Sequence, residues 1–507
     1  MSLRKLLIAI IALFFVNSFS LAEEQTLREM FQNNKSVIYS LNLRTFNAND
    51  KNGNGIIDFT DGESAGSFIN AIERLDELKS LGINTIHLLP ISPVGKIKAL
   101  GTAGSLYAMS DFTKLNVQLA DTNSELSLKD QAKLFVSECH KRDIKVMVDL
   151  PSCGAYDLFI NRPDLFILDE TGEPYIPADW VDVRLFNVPD NDSLFNSDIF
   201  ILHKLFVKEM INLGMDGIRA DVATIKPHIF WKELIKYARE QKKDFMFLAE
   251  ASENWTEPAS DKAYFTDYKQ LMDAGFDGYY GNYFELKNWK TMQDLSKTVK
   301  AQQKTLKKFK EKKSLIGSFA THDVVSPLLT GGENFSKIII WLNATLPLNP
   351  YYVDGFLQAD DYLYPYANKK SDETFTDDEF LYVHQGQIDI FNYSRRPGTD
   401  NKILITEQEK AMNLRAENLD IITKGTFKEL KSDNNRIYAY ERKSGKQALI
   451  TIINRNLANS EDVNIKIKGI KKNSKLSFLD NENSKKLVKS VFSAKLKPGE
   501  IIIFTIK

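Results

Sequence analysis

Cysteine is almost absent: only Cys139 and Cys153 occur in 507 residues, too few for a disulfide-stapled scaffold. Cys139 falls in a helical pattern and Cys153 just beyond an apolar strand pattern. The two would lie at opposite ends of a helix–strand unit, so no disulfide is expected between them. With 25 glycines and 15 prolines the chain is neither collagen-like nor of low complexity, and no Gly-x-Gly-x-x-Gly follows a strand pattern, which weighs against an open nucleotide-binding sheet. An excess of one charge is also missing. The 66 basic and 67 acidic side chains leave a net charge of -1, which gives no reason to expect nucleic acid or acidic lipid as a partner. The one long apolar run at the start, Leu6–Val16, is about half the roughly 20 residues a membrane-spanning helix needs. It follows Arg4 and Lys5 and precedes Ser20-Leu21-Ala22, so residues 1–22 read as a secretory signal peptide, and the mature protein as secreted or periplasmic with no stable membrane insertion after cleavage.

What is present suits a globular protein, with 43% hydrophobic and 26% charged residues. A single core stops growing beyond roughly 250–300 residues, so one barrel-sized domain with a smaller companion is expected. From about residue 37 to 350 a short β-rich run, a polar loop and an amphipathic helix alternate. The predicted strands are Val37–Leu43, Asn84–Pro90, Ile144–Leu150, Gly217–Asp221, Phe245–Glu250, Leu315–Ala320 and Asn349–Val353. Such alternation implies a parallel sheet with helices outside it, best closed as an eight-stranded (β/α)8 TIM barrel; an open doubly wound sheet is the second choice. Beyond residue 424 the period becomes two, as Val463, Ile465 and Ile467 alternate with polar residues. The expected organisation is a signal peptide at 1–22, the barrel at 23–423 and a C-terminal antiparallel β-sandwich at 424–507. Residues 153–198 form an enlarged loop after the third strand. The Lys-rich stretch Lys297–Lys313 carries Leu295, Val299, Leu306 and Phe309 at helical spacing and reads as a solvated helix face.

Three acids stand at or just after strand ends: Asp221, Glu250 and Asp323. A carboxylate there has no packing role, although each alone could cap a following helix. In a barrel the strand ends converge on one face, where paired carboxylates suit glycoside hydrolysis, one ionised as nucleophile and one protonated as acid. Arg219, two residues before Asp221 and on the same strand face, would hold that carboxylate ionised.

Gly217–Asp221, Phe247–Glu250 and Phe319–Asp323 resemble, in order and spacing, the three catalytic blocks of the alpha-amylase superfamily of glycoside hydrolases. Ala71–Pro93, Gly104-Ser105-Leu106-Tyr107 with Asp111-Phe112, and a tail at Gly425-Thr426-Phe427 and Leu449–Arg455 extend the resemblance over residues 37 to 455. It implies Asp221 as nucleophile, Glu250 as acid/base and Asp323 as the carboxylate binding sugar hydroxyls. It also implies that Tyr107, Asp149, Arg219 and His322 surround the substrate, Tyr107 stacking on the sugar. The family pattern after strand 3, an Asp with Asn and His four and five residues later, reads here Asp149, Cys153 and Gly154; Thr224 and Ile225 replace the Lys-His pair of many starch-degrading members. The function implied is an exported retaining α-glycosidase acting on α-linked oligo- or polysaccharide, with a glucan transferase or a catalytically silent carbohydrate-binding or transporter-associated barrel as alternatives.

After strand 1, Asp50-Lys51-Asn52-Gly53-Asn54-Gly55-Ile56-Ile57-Asp58 has the spacing of an EF-hand-like loop. Asp50, Asn52, Asn54 and Asp58, with the backbone carbonyl of Ile56, are the expected ligands of a structural Ca2+. The alternative is a plain Asn/Gly turn. No organic cofactor is expected.

Overall fold

The computed structural model describes residues 25–49, 51–52, 57, 59–99, 104–177, 180–359, 401–468, 470, 474–480, 487–488 and 490–507; the signal-peptide reading of residues 1–22 lies outside them. Eight strands run parallel: β1 (Ile38–Leu41), β2 (Thr85–Leu88), β3 (Lys145–Leu150), β4 (Gly217–Ala220), β5 (Met246–Ala249), β6 (Gly278–Tyr279), β7 (Ser314–Leu315) and β8 (Tyr351–Val353). Each pairs with its successor, and β8 returns to β1. Between β7 and β8 a parallel bridge joins Ile316 to Asn349, with Gly317 N donating to Asn349 O (2.8 Å) and Asn349 N to Leu315 O (2.9 Å). The sheet is therefore a closed barrel, and closure leaves no edge strand.

The strands are buried on both faces because helices cover the outside. Helix Leu128–Lys141 turns Ala132, Phe135, Val136 and Cys139 inward and is capped by Ser127; helix His228–Gln241 buries Phe230, Trp231, Leu234, Ile235 and Ala238. The sixth strand is absent from the sequence pattern for a physical reason. It is two residues long, and Gly278 packs so closely that a Cβ there would lie 2.2 Å from the Ser314 carbonyl oxygen. The seventh strand is predicted to reach Ala320 but ends at Leu315, after which the chain runs irregularly to Asp323. Lys297 and Lys300 lie on the solvated face of helix Met292–Leu306, whose Leu295 and Val299 are buried.

After β3, Cys153–Gly154 pairs antiparallel with Arg184–Leu185 around helix Tyr156–Asn161, forming the enlarged loop. Cys139 and Cys153 are both buried free thiols. Past helices Lys402–Glu417 and Leu419–Lys424 come two antiparallel sheets. The first orders β9 (Thr426–Glu429), β10 (Ile437–Ser444), β11 (Gln447–Asn454), β16 (Ile501–Ile506) and β13 (Leu476–Phe478). The second orders β12 (Glu461–Lys466), β15 (Val491–Leu496) and β14 (Leu487–Val488). They enclose their own apolar core, including Ile450, Val463, Phe492 and Phe504. This unit is fastened to the barrel by Tyr438 Oη donating to the Trp289 carbonyl (3.0 Å) and by the Thr345–Tyr440 hydroxyl pair (2.7 Å). Among the described residues no helix is long and apolar enough to cross a membrane.

Candidate active site

The site is assembled around one buried guanidinium. Arg219 on β4 donates through Nη1 to both oxygens of Asp149 on β3 (2.8 and 2.8 Å) and to Oδ1 of Asp221 (3.1 Å), and through Nε to the Tyr280 hydroxyl (3.0 Å). Its Nη2 lies 2.8 Å from Oε2 of Glu250, an ion contact without hydrogen-bond alignment. Three carboxylates from three adjacent strands thus share one cation, and burial makes it costly for all three to be charged. Asp149 settles the matter for itself: burial pushes it up, but Arg219 and His87 outweigh burial and hold it down at about 2. Burial, only partly offset by Arg219, pushes Asp221 up to about 6 and Glu250 to about 8, each also raised by Asp323. Glu250 is raised further by the charge of Asp221 beside it.

The turn after β4 fixes these two acids against each other. The Val222 amide donates to Oε2 of Glu250 (2.7 Å), and the Ser152 amide to Oδ2 of Asp221 (3.1 Å); the Ser152 hydroxyl donates to the Asp221 carbonyl. Val222 takes φ 33°, ψ 56°, a left-handed conformation that a β-branched residue adopts only under constraint. The constraint is visible: Ala223 N donates to the Glu250 carbonyl (3.2 Å), and Trp231 Nε1 to the Ala223 carbonyl (2.7 Å).

Tyr107 and His322 form the opposite wall. The Tyr107 hydroxyl donates to Oδ2 of Asp149 (2.8 Å) and is paired with His322 Nε2 (2.7 Å), so the two rings, centroids 5.6 Å apart and planes within 5° of parallel, lie edge to edge. Burial lowers His322 to about 4, so it is neutral at neutral pH. Asp323 differs from the other acids: its side chain is 43% exposed, and Oδ2 sits 3.4 Å from His322 Nε2.

All seven predicted site residues of the barrel come to this end of the sheet. Sequence reasoning missed the layer beneath them. His87 on β2 pairs through Nδ1 with the Tyr351 hydroxyl (3.0 Å) and places Nε2 3.4 Å from Asp149, while Tyr280 on β6 supports Arg219. A signal existed, since a histidine inside the apolar run Thr85–Leu88 is as unexpected as a carboxylate at a strand end. At Gly154 a Cβ would fall 2.7 Å from the Phe186 ring and 2.8 Å from that of Phe166, so these two rings occupy the space of any side chain there. Burial pushes the neighbouring Cys153 thiol up to about 12. Of the expected Ca2+ ligands only Asn52 is among the described residues, at the surface; Asp50, Asn54, Ile56 and Asp58 lie outside them. Among the described residues no group of three or more His, Cys, Asp or Glu could hold a metal.

No protein-family model matches the chain. It is similar to a cyclomaltodextrinase of a Bacillus species (27% identity over 203 residues, 36% of this chain and 33% of the relative). It is similar also to an alpha-1,4-glucan:maltose-1-phosphate maltosyltransferase of Picrophilus torridus (22% over 424 residues, 80% and 61%). The match to the Bacillus protein thus spans about a third of that relative's length. Among solved structures, an alpha-amylase from Lactobacillus plantarum superposes with a TM-score of 0.69 over 94% of this chain and 99% of that one, at 17% identity. The alpha-amylase from Geobacillus thermoleovorans complexed with acarbose gives 0.64 over 94% and 99%, at 18% identity. With the closed barrel, the strand-end acids and the two C-terminal sheets in place, the chain shares the fold of these alpha-amylases, and its likeness to the curated relatives supports the alpha-amylase superfamily that its sequence blocks resemble.

Proposed function

We propose that the protein is an exported retaining α-glycoside hydrolase acting on α-glucans or maltodextrins. The observation that carries this reading is the single Arg219 guanidinium held between Asp221 and Glu250 in unequal surroundings. At a pH between their two values Asp221 is largely ionised and Glu250 largely protonated, the division of labour that retention needs. A carboxylate oxygen of Asp221 attacks the anomeric carbon as the glycosidic bond breaks, and Glu250 gives its proton to the departing oxygen. Water then attacks the glycosyl ester, giving its proton to Glu250 and releasing the Asp221 carboxylate. Asp323 and His322 bind sugar hydroxyls, and Asp149 stays ionised to anchor Arg219 and Tyr107. In solution the nearest oxygens of the two acids would stand about 5–5.5 Å apart.

Incubation with maltoheptaose, pullulan and trehalose, with the anomer of the first product followed by NMR, tests the reading. Release of an α-anomer supports it; a β-anomer, or no cleavage of any α-glucan, overturns it. The maltosyltransferases among the relatives favour a second reading, a glucan transferase, which would yield products longer than the maltoheptaose supplied. A structural Ca2+ in the loop at residues 50–58 and removal of residues 1–22 on export are parts of the same proposal, the latter checked by the N-terminal sequence of the mature protein.

A further inference from the structure

Lys226 closes the loop that begins at Asp221 and is only 1% exposed. Its ammonium lies 5.7, 5.7 and 6.0 Å from the ring centres of Phe186, Phe230 and Trp231, a lining that an apolar residue would fill without desolvating a charge. Nζ donates to the Ser152 carbonyl (2.7 Å), and Ser152 gives its amide to Oδ2 of Asp221 and its hydroxyl to the Asp221 carbonyl. Three ionisable groups face the ammonium: Cys153 from the loop after β3, His203 from helix Asp198–Asn212, and Asp221 itself. Burial holds the Cys153 thiol and the His203 ring uncharged at neutral pH, which leaves Asp221 as the anion of the set.

We propose that Lys226 is a positioning residue for the nucleophile: from behind the site, through Ser152, its charge keeps the Asp221 carboxylate ionised and aimed. This rests on the reading of Asp221 as nucleophile. Arg219 divides its charge among three carboxylates, so a second cation on the far side of Asp221 has work that Arg219 cannot complete. Burial lowers the Lys226 amine to about 8, so it remains charged over the acidic half of the pH range, where Asp221 must lose its proton. It anchors the same loop after β3 in which Cys153 and Gly154 stand where the resembling family carries Asn and His.

The test is the pH profile of kcat/KM on maltoheptaose for the wild type, Lys226→Met, Lys226→Gln, Lys226→Arg and Asp221→Asn. Without the cation the carboxylate holds its proton to higher pH. The acidic limb of the Met and Gln variants should therefore move up by about one unit, roughly a tenfold loss on that limb, and Lys226→Arg should move it back. Both uncharged variants should fold, with the melting temperature of Lys226→Met lowered by a few degrees because the Ser152 carbonyl loses its buried donor. An acidic limb that stays in place, with or without a uniform loss of rate, overturns the inference, as does failure of both uncharged variants to fold. Wild-type turnover in Asp221→Asn overturns the nucleophile reading and this inference with it; an inactive Asp221→Asn beside an unmoved limb overturns this inference alone.

Discussion

Asp221 and Glu250 end strands inside a closed network of buried donors, whereas Asp323 hangs from a loop with its side chain 43% in water. In the sequence the three look alike, each an acid after an apolar run. The difference begins in β7, which stops at Leu315, so that Gly317 and Phe319 turn through irregular backbone before Asp323 is reached. Two acids are thus oriented by buried donors alone, whereas under the proposed function the third would take its working position from the sugar.

The largest expected effect is at the preorganised pair. Asp221→Asn should lower kcat by about 10⁴-fold with the fold intact, since a charge is removed at nearly constant volume; circular dichroism and single-turnover kinetics check this. Glu250→Gln should cost about 10²–10⁴-fold on maltodextrin, and much less on an aryl glycoside whose leaving group needs no proton. Asp323→Asn should lose about a hundredfold, with KM raised along with the fall in kcat, because part of its contribution is binding. A loss in Asp323→Asn equal to that in Asp221→Asn would erase the distinction between the buried and exposed acids. The pH profile sharpens it further. Wild-type kcat/KM should be bell-shaped, falling as Asp221 protonates near pH 6 and as Glu250 deprotonates near pH 8. The Asp323 charge raises both, so its removal in Asp323→Asn should shift both limbs to lower pH. The smallest effect belongs to the loop at residues 50–58. A chelator should lower the melting temperature by a few degrees and leave kcat almost unchanged, and an unmoved melting curve would mean that no ion binds there.

The carboxylates were legible because charge at the end of an apolar strand violates the burial pattern, and the barrel because its strands and helices alternate with distinct periods. His87, Tyr280 and Tyr351 were not, since their partners come from β2, β6 and β8 and meet only once the barrel has closed. Lys226 was hidden for a different reason: a lysine in a loop reads as solvated, and only the rings of Phe186, Phe230 and Trp231 reveal it as buried. The sixth strand escaped because two residues carry no period, and the exposure of Asp323 because the apolar run Leu315–Ala320 continues past the point at which β7 ends.

The crowding at Gly154 constrains the routes by which this chain could change. A histidine cannot be accommodated there by one substitution, because its first side-chain carbon would already overlap Phe186 and Phe166. Truncating either ring first would leave a cavity in a buried cluster, at a cost of about 3–5 kcal/mol, comparable to much of a domain's net stability. Each single step is therefore unfavourable. The glycine is thus held in place by the two rings packed against it, and any side chain at this position requires a change elsewhere.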